Sequence, residues 1–145
     1  MSSKTSVKTI RFKDVRAGQA GSRRYVLTEA VYEGFLGAFG DVSPIHMDDT
    51  FARKRKFKSK VMHGAILNGF VSHFIGVCFP GKYALLQSVN MQYRSPVFLN
   101  DTVTLQYKVE HKSEATKTLS LGLRFMRKDS KQVVATGKAQ VGVMS

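Results

Sequence analysis

The sequence predicts an α+β fold, an antiparallel β-sheet wrapped around one long apolar helix. Three observations carry this. Residues 63–79 hold Ile66, Leu67, Phe70, Val71, Phe74, Ile75 and Cys78 at helical spacing, with Gly64, Ala65, Gly69 and Gly76 permitting close approach. A helix so apolar is buried on most sides. Four long runs rich in Val, Leu, Tyr, Phe and Thr follow it: 84–93, 102–111, 117–127 and 132–143. Two of them alternate cleanly, Val103-Leu105-Tyr107-Val109 and Leu119-Leu121-Leu123-Phe125, as strands with one buried face do.

The elements follow in order. Alternation over Thr9–Phe12 predicts a first strand after a short basic, Ser/Thr-rich tail. Gly18 and Gly21 mark an irregular stretch before a short strand over 24–27. Thr28 is a suitable N-cap for a helix whose apolar residues are Val31, Phe35, Leu36 and Phe39. Gly40 is its natural C-terminal stop. GDVSPIHMD, residues 40–48, is turn-prone, and 49–55 is long enough for one or two helical turns. Pro80-Gly81 ends the long helix. Turn residues at 95–96, 100–101, 112–115 and 128–131 separate the strands.

With 145 residues and no repeat or linker, 1–145 reads as a single domain large enough for a substantial core. A hydrophobic fraction of 43%, with 10 Phe and 5 Tyr, excludes a disordered chain. The single cysteine, Cys78, cannot form an internal disulfide, which favours a reducing compartment and a packed thiol. The longest apolar stretch, 65–79, is interrupted by Asn68, Ser72 and His73 and falls short of the about 20 residues a membrane span needs.

The formal charge of +13 requires an account. Six cations, Arg53, Lys54, Arg55, Lys56, Lys58 and Lys60, stand together with no acid among them. They form either a solvated charge run or a face for an anionic partner. Only Phe51 and Phe57 interleave with them, and no recognition helix or nucleic-acid motif stands out, so nucleic acid is not expected.

GDVSPIHMD carries the candidate chemistry. Asp41 and His46 lie five residues apart across a proline; if the loop folds back, they converge as an acid/base pair able to handle one water or substrate proton. Alternatively, Asp41 caps a turn while His46 packs as a satisfied polar group. His63 and His73 are too far apart for a two-ligand helical metal motif, and no second ligand lies near His111, so no metal is expected. Ser72 lacks the glycines of a nucleophile elbow, and no phosphate-binding glycine loop is present.

A helix, then GDVSPIHMDDTFA, a basic gap, VMHGAIL opening a long apolar helix, and antiparallel strands resemble the MaoC-like hot-dog proteins. The resemblance is specifically to the (R)-specific enoyl-CoA hydratases, or 3-hydroxyacyl-thioester dehydratases. Their signature is close to Gly-Asp-x-Asn-Pro-x-His-x-Asp, with His-Gly some way on. It implies a hot-dog fold and reversible hydration of trans-2-enoyl thioesters to (R)-3-hydroxyacyl thioesters, a hydro-lyase activity of fatty acid metabolism.

Asp41 and His46 match the catalytic pair. Gly64 matches the residue whose N–H points at the thioester oxygen, and Ser72 falls where some members carry an active-site serine. A helix serine bonded to the carbonyl four residues before is the alternative for Ser72. Ser43 and Pro44 would position the loop, with Ser43 standing where the family has Asn. His63 reads as structural, capping the helix start. The resemblance further implies no metal or redox cofactor, coenzyme A or phosphopantetheine entering only as part of the substrate. It implies a homodimer and an acyl tunnel, whose depth would depend on residues such as Phe70, Phe74 and Leu86; the expected location, from the lone cysteine, is cytoplasmic (the mitochondrial matrix in a eukaryote). Arg53, Arg55 and Lys56 would meet coenzyme A phosphates or an acidic acyl carrier protein. The alternatives are a hot-dog thioesterase, a lyase acting on another 3-substituted thioester, and a non-catalytic acyl-thioester-binding module. The Asp41/His46 spacing favours hydration.

Overall fold

The computed structural model describes residues 6–145, so the first five residues of the expected tail lie outside it. Five strands form one antiparallel sheet: β1 (Ala20–Val26), β2 (Ala84–Tyr93), β3 (Thr102–Ser113), β4 (Thr118–Arg127) and β5 (Val133–Val143). Their order across the sheet is β1-β3-β4-β5-β2, which leaves β1 and β2 as edges. Helix α4 (Ala65–His73), extended by a π-helical segment over Phe74–Cys78, supplies the apolar body around which the sheet curves. Four helical residues, Leu67, Val71, Phe74 and Ile75, are buried with Val103, Leu105, Val109, Leu119, Leu121 and Phe125. Each large aliphatic side chain fully removed from water contributes about 1.5–3 kcal/mol, so this interface is the main source of stability. The alternation in β3 and β4 is what aims those side chains inward.

Helix α1 (Glu29–Phe39) begins where expected, with Thr28 Oγ1 accepting the Val31 N–H at 3.2 Å. It ends at Gly40, whose φ of +68° is left-handed and whose N–H donates to the Leu36 carbonyl. Two short helices follow, α2 (Pro44–Met47) and α3 (Asp49–Lys54).

Three expectations are corrected. Thr9–Phe12 is not a strand: Thr9 makes an isolated bridge to Gly81, and Phe12 opens a 3-10 turn. The alternation there reflects anchoring, because Phe12 and Val15 plug into the core. Phe39 is 73% exposed, while Tyr32, unmarked by the apolar pattern, is the buried residue of α1. GDVSPIHMD contains a helical turn, because Pro44 occupies the first helical position, where its missing N–H costs nothing.

Candidate active site

Four bonds fold residues 41–47 into a fixed shape. The Ser43 N–H donates to Asp41 Oδ1 at 3.2 Å, and the Ser43 carbonyl accepts the His46 N–H at 2.9 Å. Buried Tyr32 donates its hydroxyl to the His46 carbonyl at 2.7 Å, fastening α2 to α1. Val61 donates its N–H to the Ile45 carbonyl at 2.9 Å, fastening α2 to the chain that leads into α4.

The imidazole of His46 is oriented by the same segment. Its Nδ1 lies 2.7 Å from the Val61 carbonyl oxygen. A carbonyl can only accept, so the Nδ1 position carries the proton and Nε2 is left to face Asp41. The distance from Nε2 to Asp41 Oδ2 is 3.8 Å, with the His46 side chain 17% and the Asp41 side chain 52% exposed. That separation is too long for a direct bond, yet one water about 2.8 Å from each atom closes a triangle over it. The arrangement offers a single oxygen two proton acceptors, either of which can give back the proton it takes.

Gly64, immediately before α4, forms part of the wall. The cavity beside His46 has a volume of about 320 Å3 and is lined by Phe57, Met62, Gly64, Leu67, Tyr93 and Val97 among others. Among the described residues, neither the Gly64 nor the Ala65 N–H has a backbone acceptor, and the helix dipole favours negative charge at this end. A Cβ on Gly64 would stand 3.1 Å from the Tyr93 ring, a tight contact that a larger residue would relieve only by shifting that ring; its φ of −59° suits any residue. A larger depression of about 540 Å3 lies over Gly122, Gln106 and Arg124, away from this pair.

Comparison with known proteins agrees with this architecture. The family described as the MaoC like domain matches residues 12–124. The chain belongs to that family.

Among its relatives, the (R)-specific enoyl-CoA hydratase of Rhodospirillum rubrum is 31% identical over 64% of this chain, and the match spans 65% of that protein's length. The (R)-specific enoyl-CoA hydratase of Aeromonas caviae is 28% identical over 83% of this chain and 87% of its own. The unliganded R-hydratase of Pseudomonas aeruginosa superposes with a TM-score of 0.86 at 22% identity, covering 94% of this chain and 87% of that one. The MaoC-like hot-dog fold expected from the sequence is therefore the fold observed.

Within this MaoC-like chain, His63 is the residue the sequence reading misjudged. It does not cap α4, whose N-cap is Gly64 and has no side-chain cap bond. Instead its ring, 2% exposed, places Nε2 2.8 Å from the Asp41 carbonyl oxygen and stacks on His46 with centroids 4.0 Å apart. Phe35 packs against it at 4.7 Å. Seventeen residues of sequence separate it from His46, so no local spacing could have shown the contact.

Donor atoms of Asp41, His46 and His63 lie within 4.8 Å of one another, a grouping the sequence did not disclose. Nδ1 of His46 and Nε2 of His63 are committed to carbonyls, which leaves His46 Nε2, the unpartnered and buried His63 Nδ1, and the Asp41 carboxylate as its available donors.

The other expected residues divide. Ser43 serves the loop through its main chain, its side chain making no cap bond, and Pro44 starts α2. Ser72 is exposed on α4, two turns beyond Gly64 and outside this chain's own cavity lining. Of the tunnel residues, Phe70 borders a separate apolar cavity of about 350 Å3 between α1 and α4, Phe74 is core, and Leu86 is half-buried on β2. Arg53, Arg55 and Lys56 are exposed, but Phe57 of the same segment reaches the cavity.

Proposed function

We propose that this chain is a hydro-lyase that reversibly hydrates trans-2-enoyl thioesters to (R)-3-hydroxyacyl thioesters. The observation that carries the reading is the 3.8 Å gap between Asp41 Oδ2 and His46 Nε2, beside a cavity walled by Gly64. The names of the Rhodospirillum and Aeromonas relatives support the same reaction.

In the hydration direction the thioester carbonyl accepts the Gly64 N–H, which stabilises the negative charge that builds on that oxygen. Asp41 and His46 hold one water, remove its proton as its oxygen bonds to C3, and return a proton to C2. One water is consumed, with no change of oxidation state overall, so no metal or redox cofactor is required. Coenzyme A or phosphopantetheine enters as part of the substrate. The apolar cavity between α1 and α4, bordered by Phe35 and Phe70, offers room for the acyl chain.

The working unit is a homodimer. Strand β2 has a free edge and exposes Leu85 and Tyr93, and α4 exposes the small residues Ala65, Gly69, Ser72 and Gly76 on one face. Helices with such a face can approach closely. A second copy laid there would bring its Ser72 toward this region. The single cysteine, a free thiol, fits a reducing compartment such as the cytoplasm.

The test is loss of enoyl absorbance when the protein meets crotonyl-CoA, with Asp41→Asn and His46→Ala alongside. Each change should lower turnover by about a hundredfold or more, with the fold intact by circular dichroism. Release of free thiol in place of hydration would indicate a thioesterase and overturn the proposal.

A further inference from the structure

We propose that the cationic face from Arg53 to Lys60 docks an acidic carrier protein that presents the acyl thioester on a phosphopantetheine arm. This rests on the enoyl-thioester reading above and names the form in which that substrate arrives.

The face stands at the mouth of the site. Phe57, in the middle of the cationic segment, lines the cavity that holds His46 and Gly64, and Arg94 lies on the cavity's border. The chain doubles back at Lys56, where φ is +69°, and Arg53 Nε donates to the Lys58 carbonyl at 3.3 Å, joining the two arms of the turn. The six cations therefore lie on one compact projection.

None of them is neutralised. Among the described residues no ion pair includes Arg53, Lys54, Arg55, Lys56, Lys58 or Lys60. The nearest acids in sequence are otherwise engaged, Asp48 accepting the Phe51 N–H and Asp49 the Lys60 N–H. Like charges at this density repel one another, and an anionic partner relieves that repulsion.

Three of the cations rest on aromatic rings. Arg55 lies over the Phe51 ring at 3.5 Å, Lys58 over Phe98 at 4.5 Å and Lys60 over Tyr32 at 4.6 Å. Side chains held this way have lost rotamer freedom before any partner arrives. Each is held on a different ring, so they present a pre-ordered positive surface and do not point at one another's target. Phosphates of a free nucleotide are better served by donors that converge on one point. A folded acidic surface is better served by a flat field, which steers encounter and sets orientation. A nucleic acid would call for exposed stacking rings, and both Phe51 and Phe57 are half-buried. From this surface a flexible arm needs only to pass Phe57 to bring its thioester to Gly64.

The experiment presents one trans-2-enoyl group on three carriers, N-acetylcysteamine, coenzyme A and an acyl carrier protein. Wild type is compared with the double variant Lys54→Glu/Lys58→Glu, and folding is checked by circular dichroism. KM for the carrier-protein substrate should rise about tenfold or more in the variant, relative to the N-acetylcysteamine thioester, with kcat little changed. The wild-type KM for that substrate should also climb steeply with salt. An equal rise for coenzyme A would assign the cations to nucleotide phosphates, and no rise for either would make them a solvated face; each result overturns the proposal. If wild type turns over none of the three, the reaction assigned above fails. Docking is then read separately from the salt-dependent binding of holo carrier protein to wild type and variant, and equal binding by both overturns it.

Discussion

The His46 ring is fixed at one edge and covered on one face, and its main chain is anchored. Val61 fixes the proton on Nδ1, His63 covers one face, and Tyr32 holds the backbone from below through the His46 carbonyl. Held this way, the imidazole keeps one rotamer and one tautomer, as the acid/base role proposed for it requires. Tyr32→Phe should show the value of the clamp. The phenol is buried, so its loss leaves a carbonyl without its donor and should cost about 1–3 kcal/mol in urea denaturation. Turnover of enoyl thioester should fall as well if His46 is the base proposed above, because α2 is freed at that residue. Unchanged kinetics in a destabilised protein would show that the clamp serves only the fold.

At the scale of elements, the cavity wall depends on the connection between β2 and β3. Arg127 on β4 pairs with Asp101 and donates to the Pro96 carbonyl, and Asp101 also accepts the Phe98 N–H at 2.9 Å. Pro96 and Val97 line the cavity, so one largely buried ion pair ties it to the sheet. Asp101→Ala leaves the Arg127 guanidinium uncompensated and should cost about 3 kcal/mol, read as a lower denaturation midpoint with unchanged slope.

At the far end of α4, the Tyr25 hydroxyl and His73 Nδ1 are 2.9 Å apart. Burial pushes the Tyr25 phenol up, and burial first, then the Arg23 charge, pulls His73 down from its ordinary 6.5. The phenol therefore donates to a neutral imidazole. A folded pKa below the unfolded value means that the native state binds fewer protons than the unfolded chain. The His73 contribution is thus full above about pH 6.5 and is lost as pH falls through the lowered value. His73→Gln, which keeps an acceptor without titrating, should lose less stability than wild type between pH 7.5 and 5. Parallel losses would remove His73 as a cause of acid instability.

For the whole molecule the decisive property is assembly. Both sheet edges are free in the single chain, and half of the Asp41 side chain faces solvent, although acid/base chemistry of this kind benefits from a closed site. A second copy over β2 and the small-residue face of α4 would supply the cover. Sedimentation should give twice the chain mass, and Ser72→Arg, placed on that exposed face, should give a folded monomer with little activity. A wild-type monomer that hydrates crotonyl-CoA would sink the dimer reading.

Much of this was legible in one dimension. The Thr28 and Gly40 helix boundaries, the apolar helix and three of the sheet's four long strands almost to the residue follow from local preferences, since capping, hydrophobic period and turn chemistry act over a few residues. Asp41, His46 and Gly64 could be singled out because a short motif holds them at fixed spacing, and the structure brings Asp41 to His46 and lines one cavity with His46 and Gly64. The partners that orient the pair were not legible. Tyr32, Val61 and His63 reach the loop across 14, 15 and 22 residues of sequence, through a hydroxyl, a main-chain carbonyl and an imidazole that any core or turn could contain. Local sequence determined which elements form and which two side chains are the candidates for the chemistry. Only the tertiary structure decided how that pair is held and what faces it, because those contacts exist only after α1, the 41–47 loop and the start of α4 have packed together.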